Sequence, residues 1–271
     1  MSGHIAIIYE GDKREAQFWK SIKDSFFKNC ELHFVDFPVG ENIYMLWKQL
    51  KEDDFETDII EIVREYNKSA ASALGNLKRD DFQEVYLFFD YDPHHDDFKT
   101  KRSKDEIIAE LLSGFDNETE NGKLYISYPM CEALRDFTIY SCKAFSGCYV
   151  SYDEIQEYKH RSGFGNDHAD YKKYNRELWM LILSIFLKRA ACLHDYDLNA
   201  KRDDVLEWFK KEVTSISIHA RESDMLKKTK RLFVLSAFPE FILDYYGIEK
   251  WKHELKDYSS IERDKSCEKK C

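Results

Sequence analysis

The chain has 271 residues, enough for one large domain or two modest ones around a substantial core. Apolar residues make up 43% and aromatics 15%, which excludes a disordered chain. A formal charge of −10 excludes a surface coated in positive charge for indiscriminate nucleic-acid binding. A local basic groove stays open, because carboxylates that hold metal inflate the negative count.

Met1-Ser2-Gly3-His4 leads straight into Ile5-Ala6-Ile7-Ile8-Tyr9, so no leader is expected. That first apolar run reads as a strand, and Glu15–Phe27 reads as an amphipathic helix with Phe18, Trp19, Ile22, Phe26 and Phe27 on its apolar side. Leu32–Phe37 is a second strand, ended by Pro38 and Gly40. A helical insertion over about 42–79 follows, with helices near Asn42–Leu50 and Asp58–Leu77. Then come the strand Glu84–Phe89, an acidic loop, a helix near Asp105–Leu112 and the strand Lys123–Ser127. Strands separated by helices predict a mainly parallel sheet covered on both faces.

From about Ala133 strand signals fade. Helices are expected over Asp170–His194, Arg202–Ser215 and Glu222–Phe238, with a shorter one near Pro239–Tyr246. Residues 161–166 read as a loop, and the tail from about Lys256 as charged and frayed. The longest apolar run, Leu178–Leu187, is interrupted by Ser184 and too short to span a bilayer. Seven cysteines in no zinc-binding spacing read as reduced, mostly structural thiols of a cytoplasmic protein.

Three acidic motifs sit where strands run out: Glu10-Gly11-Asp12-Lys13-Arg14-Glu15, Asp90-Tyr91-Asp92, and Met130-Cys131-Glu132 behind Pro129. Carboxylates at the carboxyl ends of buried strands lie where α/β folds place ligands. Several converging there repel one another unless a cation is shared, and hard oxygen donors favour Mg²⁺ or Mn²⁺. Gly11 lets the chain turn sharply, and Glu15 in a first helical turn also suits the helix dipole. Asp90 and Asp92, two apart, point to one side if the strand conformation persists. His94 and His95 are either loop surface or contacts to metal or substrate. Glu132 alone reads equally as a helix-start residue. For phosphate contact the weak candidates are His94, Lys143, His160, Arg161, Lys172 and Lys173; the basic run Lys227, Lys228, Lys230, Arg231 reads as a solvated helix face.

At these motifs the chain resembles a Toprim domain, and within that superfamily RloB-type proteins. Glu10-Gly11-Asp12-Lys13-Arg14-Glu15 followed by Phe18-Trp19 is similar to their Glu-Gly-x-x-x-Glu opening, and Asp90-Tyr91-Asp92 to their Asp-x-Asp step. Ser127-Tyr128-Pro129-Met130-Cys131-Glu132 resembles their Ser-Asn-Pro-x-Phe-Glu segment, with Tyr128 and Cys131 replacing Asn and Phe. The likeness runs over roughly residues 4–140. It implies a Toprim-like catalytic domain over 1–145, with a C-terminal all-helical region over 146–271.

The resemblance also implies a metal-dependent nuclease acting on DNA or RNA, transfer RNA included. Asp90, Asp92 and Glu10 would hold one Mg²⁺ or Mn²⁺ ion, and Glu15 and Glu132 a second ion or its waters; Glu10 is alternatively the general base. Related systems (OLD, AbiL, AriB) pair such nucleases with an ABC-type ATPase in anti-phage defence. No Gly-x-x-x-x-Gly-Lys-Ser/Thr loop is present, so any ATPase is expected to be a separate polypeptide. Two other readings are a non-catalytic binding or regulatory module and a nucleotidyl transferase. Oligomeric state stays open.

Overall fold

The computed structural model describes residues 3–11, 13–28, 30–52, 54–94, 100–136, 148–163 and 167–255. The chain begins with strand β1 (His4–Tyr9), helix α1 (Arg14–Ile22) continued as a wider π turn over Lys23–Phe27, and β2 (His33–Pro38). Helices α2 (Ile43–Glu52), α3 (Ile59–Tyr66) and α4 (Lys68–Leu74) fill the expected insertion. They are followed by β3 (Phe82–Asp90), α5 (Lys104–Gly114), β4 (Asp116–Asn117) and β5 (Gly122–Ser127). A 3-10 turn, Cys131–Arg135, follows Pro129. Beyond it come β6 (Tyr149–Ser151), α6 (Ile155–Arg161), α7 (Arg176–Leu193), α8 (Arg202–Glu212), α9 (Ser215–Thr229), β7 (Arg231–Phe233), α10 (Ala237–Tyr246) and α11 (Ile248–Glu254).

The expected mixed α/β architecture is present. Five strands form one sheet in the order β2-β1-β3-β5-β4, parallel except for β4, which runs antiparallel to β5. From β1 the chain moves to one side for β2 and then returns to the other for β3. The strand order therefore reverses at β1, with β1 and β3 paired through Tyr9 and Phe88, and open α/β sheets form a crevice at the carboxyl edge of such a switch point.

Period-two alternation places Tyr86 and Phe88 on one face of β3 and Val85, Leu87 and Phe89 on the other. Helix α10 covers the first face: Phe88 stacks on Phe238 at 4.7 Å and Tyr86 meets Phe241 edge-on at 4.9 Å. Helix α5 packs on β5 and is backed by α2 and α9. Buried residues from both halves of the sequence form one contiguous core. The expected division near residue 145 lies outside the described residues.

Local chemistry explains where elements depart from expectation. The helix predicted over Asp58–Leu77 breaks at Asn67, whose extended backbone ends α3. Its Oδ1 caps α4 by accepting from the Ser69 and Ala70 N–H groups. The helix predicted from Asp170 starts only at Arg176, because Asn175 caps it through the Leu178 N–H at 2.9 Å.

The carboxy-terminal region is largely helical, but the all-helical expectation is corrected. The helix predicted over Glu222–Phe238 is replaced by α9, capped by Thr214 and ended by Lys230 in the left-handed conformation (φ 57°). The chain then reverses into β7, which pairs antiparallel with β6. Just beyond, Leu235 exchanges backbone hydrogen bonds with Tyr128, 2.7 Å from the Tyr128 N–H and 3.0 Å from the Leu235 N–H. Among the described residues no helix is long and apolar enough to cross a membrane, and Cys30 and Cys131 are free thiols.

Candidate metal centre

The end of β1 is gripped from both sides. The Glu10 N–H donates to the Phe88 carbonyl at 3.2 Å, and the Gly40 N–H donates to the Glu10 carbonyl at 2.9 Å. With its backbone so fixed, Glu10 turns its carboxylate toward β3, where Oε2 accepts from the Asp90 N–H at 3.1 Å. Glu15, in the first turn of α1, reaches back to accept from the Gly11 N–H at 3.2 Å. A Cβ on Gly11 would lie 3.1 Å from both Glu15 carboxylate oxygens, so any other residue there would push the Glu15 carboxylate by a few tenths of an ångström.

Strand β3 ends at Asp90, and Asp92 has φ 28°, so extended conformation does not carry through the Asp-x-Asp step as expected. The step instead follows the edge of β5. Tyr91 N–H donates to Ser127 and Asp92 N–H to Pro129, at 3.0 and 3.1 Å. Both aspartates still reach one cleft.

That cleft, of about 720 Å³, is lined by Glu10, Glu15, Asp90, Asp92 and Glu132 together with Lys13, Arg14 and Lys159. Among the described residues, five carboxylates and three cations line it. Burial, then the Asp90 charge, pushes the Glu10 carboxyl well above its ordinary range. Burial, then Glu15, does the same to Asp90, against a hydrogen bond from the Cys131 N–H. Glu15 is raised chiefly by burial, and the Cys131 thiol by burial and then by Asp90.

The sequence-predicted ligands divide. One carboxylate oxygen of Glu15, one of Asp90 and the Cys131 sulfur all lie within 4.8 Å of one another, the one group of such spacing among the described residues. Glu10 and Asp92 line the same cleft but stand outside that trio. Glu132, 1% exposed, is ion-paired with Arg14 and lies 3.9 Å from Lys159, so its carboxylate is engaged by cations of the chain itself. The donor set of the trio suits a divalent cation, since it offers two anionic oxygens and a sulfur at near-ligand spacing.

The predicted phosphate contacts are largely corrected. His94 lines the cleft, but its Nε2 donates to the Tyr152 carbonyl at 2.8 Å. Lys172 and Lys173 are exposed on a 3-10 turn and do not line it. Lys143, His95 and residues 96–97 lie outside the described residues. Lys13, Arg14 and Lys159 are the lysine and arginine side chains that line the cleft among the described residues. Arg14 stood inside the first acidic motif and was legible there. Lys159 was not, because the β6–β7 ribbon precedes the helix that carries it, and nothing local announces that pairing.

Behind the cleft, Tyr91 and Ser223 both donate to the Asp105 carboxylate at 2.6 Å. Tyr128 meets His219 Nδ1 at 3.1 Å, and His219 Nε2 donates to the Asp105 carbonyl at 3.0 Å. Helices α5 and α9 thereby brace the two strand ends that carry Asp90 and Glu132. No protein-family model, no curated protein and no solved structure matches this chain.

Proposed function

We propose that this chain is a divalent-metal-dependent phosphodiesterase acting on DNA or RNA, transfer RNA included. The observation that carries the reading is the convergence of carboxylates from three strand ends in one cleft that also holds Lys13, Arg14 and Lys159. Phosphodiester hydrolysis needs this mixture: anionic donors for a cation, and cationic donors for the phosphate.

A bound divalent ion supplies Lewis-acid polarisation of the phosphoryl group and a more acidic water. Glu15 and Asp90 hold it, with Glu10 and Asp92 beside them for a second ion. Lys159, whose side chain is half exposed, faces the solvent side and meets a non-bridging phosphate oxygen. Arg14 holds Glu132 and closes that wall. Glu10, its carboxyl raised by burial and then by the Asp90 charge, is placed to exchange a proton within the cleft. The Toprim resemblance adds control by a separate ABC-type ATPase and a place in anti-phage defence, inside the cell.

The test is cleavage of plasmid DNA and bulk transfer RNA by the purified chain with Mg²⁺, Mn²⁺ or EDTA, beside Asp90→Ala. Metal-dependent loss of one substrate, absent in the variant, is the expected result. Cleavage retained in Asp90→Ala would overturn the site. The Arg14–Glu132 pair favours a second reading, a non-catalytic binding module, because a cation of the chain itself neutralises this buried carboxylate of the cleft. Tight Mn²⁺ binding without cleavage of either substrate, alone or with a partner ATPase, would select it.

A further inference from the structure

Cys131 is unlike the other members of the cleft. It stands where the resembled segment carries Phe, so neither the acidic pattern nor the likeness assigns it a role. Its residue is 4% exposed, yet it lines the cleft. Its sulfur lies within 4.8 Å of one oxygen of Glu15 and one of Asp90. The Sγ–H donates only a long contact, 3.4 Å to Glu132 Oε2.

The spacing decides whether one ion can join the three. Donors that share one ion, bound at about 2.1 Å through oxygen and about 2.3 Å through sulfur, stand about 3.5 Å apart at tetrahedral angles. The trio, within 4.8 Å, therefore closes on a single ion by side-chain shifts of about an ångström. The two segments are already tied beside the trio, since the Asp92 N–H donates to the Pro129 carbonyl at 3.1 Å.

We infer that Cys131 is a sulfur ligand of the divalent centre, which therefore takes a softer first-row transition ion (Co²⁺ or Zn²⁺) in preference to Mg²⁺. The inference rests on the metal reading of the same cleft. Mg²⁺ demands oxygen donors in near-ideal octahedral geometry and gives up water reluctantly, so a thiolate in its shell is unfavourable. Softer ions gain from sulfur, so the Cys131 position acts as a selectivity filter between two classes of cation.

The full chain, stripped of metal, is titrated with Co²⁺ and the absorption spectrum followed. Wild type is expected to develop visible cobalt bands together with near-ultraviolet sulfur-to-cobalt charge transfer. In Cys131→Ser the charge transfer disappears while the visible bands persist. Asp90→Asn loses the charge transfer as well, which assigns it to this cleft and not to another cysteine. Mg²⁺ should displace Co²⁺ from Cys131→Ser at least about tenfold more readily than from wild type.

Circular dichroism verifies the fold of each variant, and Cys131→Ala replaces Cys131→Ser if the serine is not tolerated. Cobalt bound with visible bands but no charge transfer in wild type would overturn the sulfur ligand and leave the carboxylate centre standing. No cobalt binding at all would overturn both.

Discussion

The carboxylate of Glu10 accepts a hydrogen bond from the backbone N–H of Asp90 at 3.1 Å, while the Asp90 side chain raises the Glu10 carboxyl through its charge. One residue thus holds Glu10 in place with its main chain and repels it with its side chain. A cation would relieve the second effect without disturbing the first. The metal-free protein carries this repulsion as an internal strain in its charges.

Asp90→Asn should separate these effects. It removes the repulsion, so the metal-free variant should melt higher than wild type, by about 2–4 °C for each kcal/mol relieved. Mn²⁺ at a hundredfold excess over its dissociation constant stabilises wild type by about 2.7 kcal/mol, or roughly 5–10 °C, and should leave the variant unmoved. Thermal melts with and without Mn²⁺ check both. A variant that still responds to Mn²⁺ would move the ion elsewhere.

Arg14 and Lys159 both approach Glu132, but their losses should differ in kind. Arg14→Ala strips the ion pair from a carboxylate only 1% exposed and should cost about 3 kcal/mol of stability. Lys159, at 3.9 Å and half exposed, should cost under about 1 kcal/mol when replaced by alanine. Its loss should instead reduce cleavage by about 10²–10³-fold through the phosphate. Chemical denaturation and initial cleavage rates measured side by side would distinguish the two residues.

Gly11→Ala should act on Glu15. A methyl 3.1 Å from both carboxylate oxygens forces the Glu15 side chain away from the Gly11 N–H. The expected result is Mn²⁺ affinity reduced at least about tenfold with little change in fold. Calorimetric titration measures it, and unchanged affinity would mean that Glu15 does not hold the ion.

A pH effect is expected away from the cleft, where Glu240 lines a separate cavity of about 430 Å³ and accepts a hydrogen bond from the Ser215 hydroxyl. Burial pushes its carboxyl up to about 8. The folded chain therefore keeps a proton that the unfolded chain releases near pH 4.3. Stability from this group is full below that pH and falls by about 1.4 kcal/mol per unit as pH rises toward 8. Glu240→Gln should flatten this slope, raising the melting temperature at pH 7 to 8 and leaving it near wild type at pH 4. Parallel slopes for both proteins would show that Glu240 is ionised in the fold.

Strands β1, β3 and β5 were legible because they are buried on both faces and read as continuous apolar runs, Val85 to Phe89 above all, whereas the two-residue β4 gave no such signal. The acids Glu10, Asp90 and Glu132 were legible for the same reason, since each directly follows such a run or its proline. What escaped depends on distant pairing. Strand β7 has three residues and exists by pairing with β6, eighty residues earlier in the chain at the level of Val150 and Leu232. Lys159 reaches the cleft on a helix set by that ribbon. Cys131 was read as a structural thiol because a lone cysteine gives no local sign of the carboxylates across the crevice. Asn67 was hidden inside a helical pattern that its own side chain interrupts.

The bridge between Tyr128 and Leu235 has a consequence for how the molecule comes into being. The strand end that carries Cys131 and Glu132 is tied by reciprocal hydrogen bonds to a residue more than a hundred positions later. A nascent chain emerging from the ribosome has all of its acidic motifs long before it has Leu235. Until then the third wall of the crevice lacks its anchor. The growing polypeptide thus carries its reactive groups disassembled, and the edge that gathers them is completed only late in synthesis.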